Sequence, residues 1–316
     1  ARSINVGLEP DLVWIKSRTS TGLGNILFDS VRGVGNYLFS SDTDAEGSGS
    51  GILDSFIADG FNLGSNGHVN QSGDNYVTWC WDAGDSAPAS NTSGTITSTV
   101  KASTTNGFSI VTYTGSGSNA TIGHGLSSAP EFVIVKCRSN AISAPAWPTW
   151  ASAIAGTEYL DLSTTAAKAT AASVWNSTVP TSSVFSVGTT SSCNSSGFTY
   201  VAYCWHSVAG YSKIGSYTGN GSSSGPTVTC GFRPAFVMIK RADSTGNLYI
   251  FDVNRDPDNK GQRYIRPNAD STEGGSGTGQ DYIDFQSNGF QIIADFSAFG
   301  EGNTSGGTYI YMAFAG

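Results

Sequence analysis

The sequence predicts an all-β protein built from tandem antiparallel β-sandwich modules in three related copies. Short runs rich in β-branched and aromatic residues, such as FVIVK, YVAYCW, YIYMAF and FSIVTY, are bounded by Gly, Ser, Asn or Pro, the signature of strands. Similar landmarks recur three times in one order. Helical stretches are nearly missing; the best is TTAAKATAASVW at 164–175, and Thr and Ser dilute even that one.

The repeats define the elements. GLEPDLVWIKSR (7–18), GLSSAPEFVIVKCR (125–138) and GFRPAFVMIKRA (231–242) each place Pro before an apolar strand ending in Lys, at Lys16, Lys136 and Lys240. YLFSSDTDA (37–45), YLDLSTTAA (159–167) and, more weakly, RYIRPNADS (263–271) follow. DGFNLG (59–64), SVFSVG (183–188) and NGFQII (288–293) come next, and the copies close on YVTWCW (76–81), YVAYCW (200–205) and YIYMAF (309–314). The Gly/Ser/Thr/Asn-rich stretches between them are loop material, because short polar side chains bond locally and glycine takes positive φ. Copies of about 100 residues are too long for propeller blades of about 40–50 and fit sandwiches of about seven strands. The division is copy one at 1–84, a Ser/Thr-rich linker or hairpin strand at 85–106, copy two at 107–210 and copy three at 211–316.

Copy one starts differently. Copies two and three open with GFSIVTYTGSGS (107–118) and YSKIGSYTGNGS (211–222), whereas copy one begins at the next strand, INVG. A sandwich without its leading strand exposes a row of unpaired backbone groups. An upstream segment, another subunit, or the GTITSTVKAS stretch (94–103) is expected to fill that place. The opening ARSINVGLEP lacks an initiator Met and any signal pattern, so Ala1 is expected to follow a cleavage or a missing portion.

Composition excludes several classes. The 316 residues carry 16 basic and 24 acidic side chains, a formal charge of −8. That balance argues against nucleic acid or an anionic membrane surface as partner, since both reward a basic face. No stretch has the apolar length of a membrane span. The hydrophobic fraction of 38% is too high for disorder. Five cysteines are odd in number and sparse, which does not suggest a disulfide framework, and Cys80 and Cys204 sit between aromatics as strand-core residues.

Candidate sites are few. Lys16, Lys136 and Lys240 end apolar strands, and Asp29 in LFDSVRG and Asp252 in IFDVNRD are placed to pair with Lys16 and Lys240; copy two has WASAIAG there, without an acid. A repeated structural ion pair is the first reading and repeated ligand contact the second. Trp147, Trp150 and Trp175 form either a sugar-stacking platform or a plug for the end of a sandwich. Acidic loops at Asp42, Asp44 and Glu46, at Asp252, Asp256 and Asp258, and at Asp281 and Asp284 offer at most a weak calcium site, because Pro267 stands where DPDNKG (256–261) would need a twelfth-position acid. No other cofactor is expected: GSGSNA (115–120) is not followed by a helix that would hold a pyrophosphate, and GSSSG (221–225) lacks a strand-turn-helix setting. His68, His124 and His206 show no metal spacing.

The combination of FDSVRG, VNQSGDNYVTWCWDAG, NTSGTITSTVKASTTNGFSIVTYTGSG, IGHGLSSAPEFVIVKCRS, GYSKIGSYTGNGS and YIYMAFA resembles a repeat family of virion proteins from marine tailed phages, especially cyanophages, over residues 7–316. The resemblance implies a jelly-roll or concanavalin A-like sandwich in a phage structural or tail-fibre-like protein, and it implies no catalytic residues. The expected function is therefore non-enzymatic: a virion component of a tail fibre, tail appendage or capsid surface, partnered by other virion proteins and a host surface glycan, and homo-oligomeric. The alternatives are a secreted or cell-surface carbohydrate-binding protein and, behind it, a polysaccharide depolymerase.

Overall fold

The computed structural model describes residues 1–139, 146–256, 258, 260–275, 280–293 and 301–316. Among them the chain is all-β, with antiparallel ladders throughout and helix only as the single turns Gly67–Asn70, Ala172–Trp175 and Ser191–Asn194. The expected helix at 164–175 is therefore corrected to one final turn. Ala169–Thr170 pairs instead with Glu158–Asp161, the Lys168 amide donates to the Ala242 carbonyl at 2.8 Å, and Asn176 ends the turn in the left-handed region at φ 51°. Tertiary bonds outweigh a weak propensity there.

The larger sheets share one order of pairing. In the segment at 107–210, Phe108–Thr114 pairs with Thr199–Trp205, which pairs with Phe132–Cys137, then Pro148–Ala151, then Glu158–Asp161. In the segment at 211–316 the order is Ser212–Thr218, Thr308–Ala315, Pro234–Arg241 and Leu248–Asp252. In the first segment it is Tyr76–Trp81, Leu12–Ser17, Ile26–Asp29 and Asn36–Phe39, so Tyr76–Trp81 is an edge. GTITSTVKAS does not cover that edge. Ser98–Ser103 instead forms a hairpin with Phe108–Thr114, and Ala89–Asn91 adds beyond it, because the turn at 104–107 makes that pairing the cheapest loop to close.

A smaller sheet faces each larger one. Arg2–Asn5, Gly60–Leu63 and Leu53–Ile57 form one, Ser224–Thr229, Gly289–Ile293 and Ile283–Gln286 another. Between the layers lie Val13, Ile15, Phe28, Phe61 and Leu63 in the first segment, and Val237, Ile239, Phe285 and Phe290 in the third. The second segment has only Ala120–Gly123 with Val184–Val187. The Ala172–Trp175 turn stands in for the third strand: Gly188 N–H donates to the Val174 carbonyl at 2.8 Å as Gly64 N–H donates to Ile52 at 3.0 Å.

The larger sheets also pack on one another along a shared seam. Trp81, Trp205 and Phe314 lie at or next to the ends of the three closing strands, and the Trp81 ring lies 6.1 Å from Trp205 and 5.8 Å from Phe314. Phe236 completes the cluster at 5.8 Å from both Trp81 and Phe314. A strand covered by a sandwich on one face and a seam on the other has no solvent side. This is why Phe132–Cys137 is buried at every residue and reads as an unbroken apolar run rather than an alternating one.

Candidate functional site

The repeated lysines lie at the seam, and they bind carbonyls rather than carboxylates. Lys16 Nζ donates to the Leu23 carbonyl at 2.5 Å and to the Asp270 carbonyl at 3.2 Å. Lys136 Nζ donates to the Thr43 carbonyl at 3.1 Å, and Lys240 Nζ to the Thr165 carbonyl at 3.1 Å and the Gly246 carbonyl at 2.6 Å. Each thus reaches into another segment: first to third, second to first, third to second. The lysine-bearing residues are at most 5% exposed. Burial, which disfavours the ammonium, lowers each of the three pKa values from 10.5 to about 8. The expected pairs Lys16–Asp29 and Lys240–Asp252 are therefore corrected. On adjacent strands Leu12, not Lys16, stands opposite Asp29, and Phe236, not Lys240, opposite Asp252.

Asp29 and Asp252 instead centre two matching ion networks. Asp29 binds Arg32 three residues on, Arg32 Nη1 donates to Glu46 at 2.9 Å, and Glu46 also accepts from Arg138 of the second segment at 2.7 Å. The Tyr203 hydroxyl donates to Asp29 at 2.7 Å. Asp252 binds Arg255 at 2.6 Å, Arg255 reaches Glu273 at 3.1 Å, and Glu273 pairs with Arg18 of the first segment at 2.9 Å. Trp79 Nε1 donates to Asp252 at 3.1 Å. Burial works against the Arg32 charge, but Asp29, Tyr203 and Glu46 outweigh it and hold its pKa above the ordinary value. Where the second segment would repeat this set it has Ala151, opposite Phe132, and Ile154. Two of the segments thus centre an ion network on this Asp–Arg pair, and the second has an apolar pair in its place. The arginines and glutamates of these networks were missed in the sequence; the signals were Arg three residues after the Asp in FDSVRG and FDVNRD, and Arg two after Lys in KSR and KCR.

The tryptophans make no platform. Trp147, Trp150 and Trp175 are 0%, 5% and 2% exposed, which corrects the expected sugar contact in favour of packing. Trp147 Nε1 donates across the seam to the Asp42 carbonyl at 2.9 Å, and its ring lies 5.4 Å from Lys136 Nζ. Trp150 and Trp175 line one small void beside Val133 and Phe185, inside the second sandwich.

The remaining candidates are engaged in structure. Among the described residues no group of three His, Cys, Asp or Glu is placed to hold a metal. DPDNKG lies partly outside the described residues, at 257 and 259. Asp256 accepts the amides of Gln262 at 2.8 Å and Arg263 at 2.6 Å, and Asp281 accepts Lys260 at 2.6 Å. His124 Nδ1 accepts the Leu126 amide, His206 contacts the Ser207 carbonyl, and the His68 ring lies 5.3 Å from Phe39. The 115–119 loop is held by Asn194, whose side chain binds the Ser116 amide and the Ser118 carbonyl. All five cysteines are free thiols; Cys204 is fully buried and Cys80 half-exposed.

A wide cleft is open to the free edge. About 600 Å³ in volume, it is lined by the whole Tyr76–Trp81 strand together with Leu8, Phe236, Arg255 and Phe314. A further space of about 230 Å³, bordered by Ile4, Val69, Asn70 and Tyr76, continues it toward the sandwich interior.

No curated protein and no solved structure matches the chain. Residues 1–316 match the family described as a domain of unknown function, DUF7483, and the chain belongs to that family.

Proposed function

We propose that the chain is a non-enzymatic structural component of a virion, made of three related sandwich copies and exposed on a tail fibre, tail appendage or capsid surface. The observation that carries this reading is the cycle of lysine clasps. Lys16, Lys136 and Lys240 each tie one larger sheet to a loop of another segment, so a stiff body presents polar Gly/Ser loops outward. The likeness of the repeats to marine tailed-phage virion proteins, and the jelly-roll or concanavalin A-like sandwich that likeness implies, support the same role. Its partners are then other virion proteins and, through the outer loops, a host surface glycan, with the chain present as a homo-oligomer. Immunogold labelling of purified phage particles with antibodies against the folded chain tests this. Label on the tail or capsid surface is expected. Label absent from particles, with retention of the protein on a defined glycan column, would instead establish a secreted carbohydrate-binding protein.

A further inference from the structure

The open edge of the first segment has a filled counterpart in each of the other two. Thr199–Trp205 and Thr308–Ala315 are each flanked on both sides, and Tyr200–Trp205 and Tyr309–Phe314 are buried throughout, whereas Tyr76, Val77, Thr78 and Cys80 are half-exposed. Arg18 N–H bonds the Asn75 carbonyl and Asp11 N–H the Trp81 carbonyl, both on the Leu12–Ser17 side. Alternation along an antiparallel ladder then turns the N–H and C=O groups of Tyr76, Thr78 and Cys80 toward the cleft.

The filled edges show what fits. Their strands share the pattern I-x-x-Y-T-G-x-G-S, at 110–118 and 214–222. Ile110 stands opposite Tyr203 and Ile214 opposite Met312, while Tyr113 stacks on Tyr200 at 5.1 Å and Tyr217 on Tyr309 at 4.9 Å. An asparagine then clamps the turn. Asn194 Oδ1 accepts the Ser116 amide at 2.7 Å and Asn303 Oδ1 the Asn220 amide at 2.8 Å, and their carbonyls accept Gly117 and Gly221 at 2.9 Å each. Glycine is required at 115 and 219, where a Cβ would lie 2.3 and 2.2 Å from the Ser195 and Thr304 carbonyl oxygens.

The first segment holds the receiving half of the same arrangement. The Tyr76 hydroxyl accepts the Gln71 amide at 2.9 Å, as Tyr200 accepts Ser195 at 2.7 Å and Tyr309 accepts Thr304 at 2.9 Å. Asn70 Nδ2 donates to the Gly64 carbonyl at 2.6 Å, as Asn194 does to Gly188 at 2.8 Å. Among the described residues nothing donates to the Asn70 Oδ1 or carbonyl oxygen, the two atoms whose counterparts hold the turn.

We infer that Tyr76–Trp81 is a strand-acceptor edge, and that its occupant is a segment of pattern I-x-x-Y-T-G-x-G-S that runs antiparallel to it and leads into Arg2. Arg2 pairs with Leu63 as Ala120 pairs with Val187. The connectors at 115–119 and 219–223, five residues each, therefore set the reach required before Arg2. The occupant places its Tyr on Tyr76, its Ile across from Trp79 and its turn on Asn70. Among the described residues a second copy of the chain has no unpaired strand of this pattern to give, because Phe108–Thr114 and Ser212–Thr218 are both paired within their own sheets.

Hydrogen exchange at the Thr78 and Cys80 amides tests this in the unmodified chain and in the chain with GFSIVTYTGSGS, the sequence of residues 107–118, joined before Ala1. Exchange at both amides is expected to slow about a hundredfold or more in the joined protein. It should return to the fast rate when the joined segment carries the change equivalent to Tyr113→Asp. The free peptide GFSIVTYTGSGS, added to the unmodified chain at saturating concentration, provides the second arm. Protection from either source supports the slot. Fast exchange in both arms overturns it, and so does protection already present in the unmodified chain together with a dimer mass by light scattering, which would mean that a second copy occupies the edge.

Discussion

Lys136 of the second segment donates its ammonium to the Thr43 main-chain carbonyl of the first at 3.1 Å. Lys16 to Asp270 and Lys240 to Thr165 repeat the relationship around the seam. Main-chain carbonyls in a loop accept a buried cation without needing a particular side chain. Replacement of any one lysine by Met keeps the volume but takes the ammonium away from the Leu23, Thr43 or Gly246 carbonyl, while Asp270 and Thr165 keep the Gly22 and Gly246 amides at 3.2 and 2.9 Å. We predict that Lys16→Met, Lys136→Met and Lys240→Met each lower stability by about 1–3 kcal/mol, read as a shift of the urea midpoint at unchanged slope.

The same lysines give the chain a defined pH response. Their folded pKa values of about 8 lie below the unfolded value of 10.5. The unfolded chain therefore holds more protons between these limits, and this contribution to stability rises with pH across that window and is flat outside it. The thiols act in the opposite sense. Burial raises Cys80 and Cys230 to about 11 and Cys204 to about 12, so the unfolded chain releases protons first and stability falls above about pH 9. Comparing wild type with the triple Met variant isolates the lysines. Their difference in unfolding free energy should move in favour of wild type between pH 8 and 10.5, by about 1–3 kcal/mol per lysine. A constant difference would show that the three ammonium groups do not titrate in that window.

The Asp29–Arg32 ion pair should be replaceable by the apolar pair of the second segment. Asp29→Ala leaves Arg32 buried beside Glu46 alone, and about 3–5 kcal/mol of destabilisation is expected. Asp29→Ala with Arg32→Ile copies Ala151 and Ile154 of the second segment. That double variant should recover most of the loss in thermal melts, because no charge is then left uncompensated. Loss equal to or greater than that of the single variant would contradict this.

Trp150 serves packing alone. Trp150→Ala should cost about 3–5 kcal/mol through the cavity it opens beside Trp175 and Phe185, whereas retention on immobilised glycans, measured below the melting temperature, should not change. Lost retention by a variant that is still folded would restore the sugar-platform reading.

Much of the fold could be read from local pattern, and most of the seam could not. FVIVKC, YVAYCW and YIYMAF announce strands because β-branched and aromatic residues pack on a pleated surface. The missing partner of YVTWCW could be seen by comparison with the two copies that carry one. The partners of Lys16, Lys136 and Lys240 left no trace, since the bonds to Asp270, Thr43 and Thr165 go to backbone oxygens. Platform and plug stay equally open for Trp147 in the sequence, because composition does not distinguish solvent from a neighbouring sheet. Asn194 and Asn303 passed as loop composition although both are fully buried and brace a turn.

Calorimetric unfolding of the intact chain tests most directly whether the three sandwiches are one body. A single transition, with calorimetric and van't Hoff enthalpies equal, is expected from three sheets sharing Trp81, Trp205, Phe314 and the lysine clasps. Separate transitions, each unaffected by Lys→Met substitution in a neighbouring segment, would contradict it.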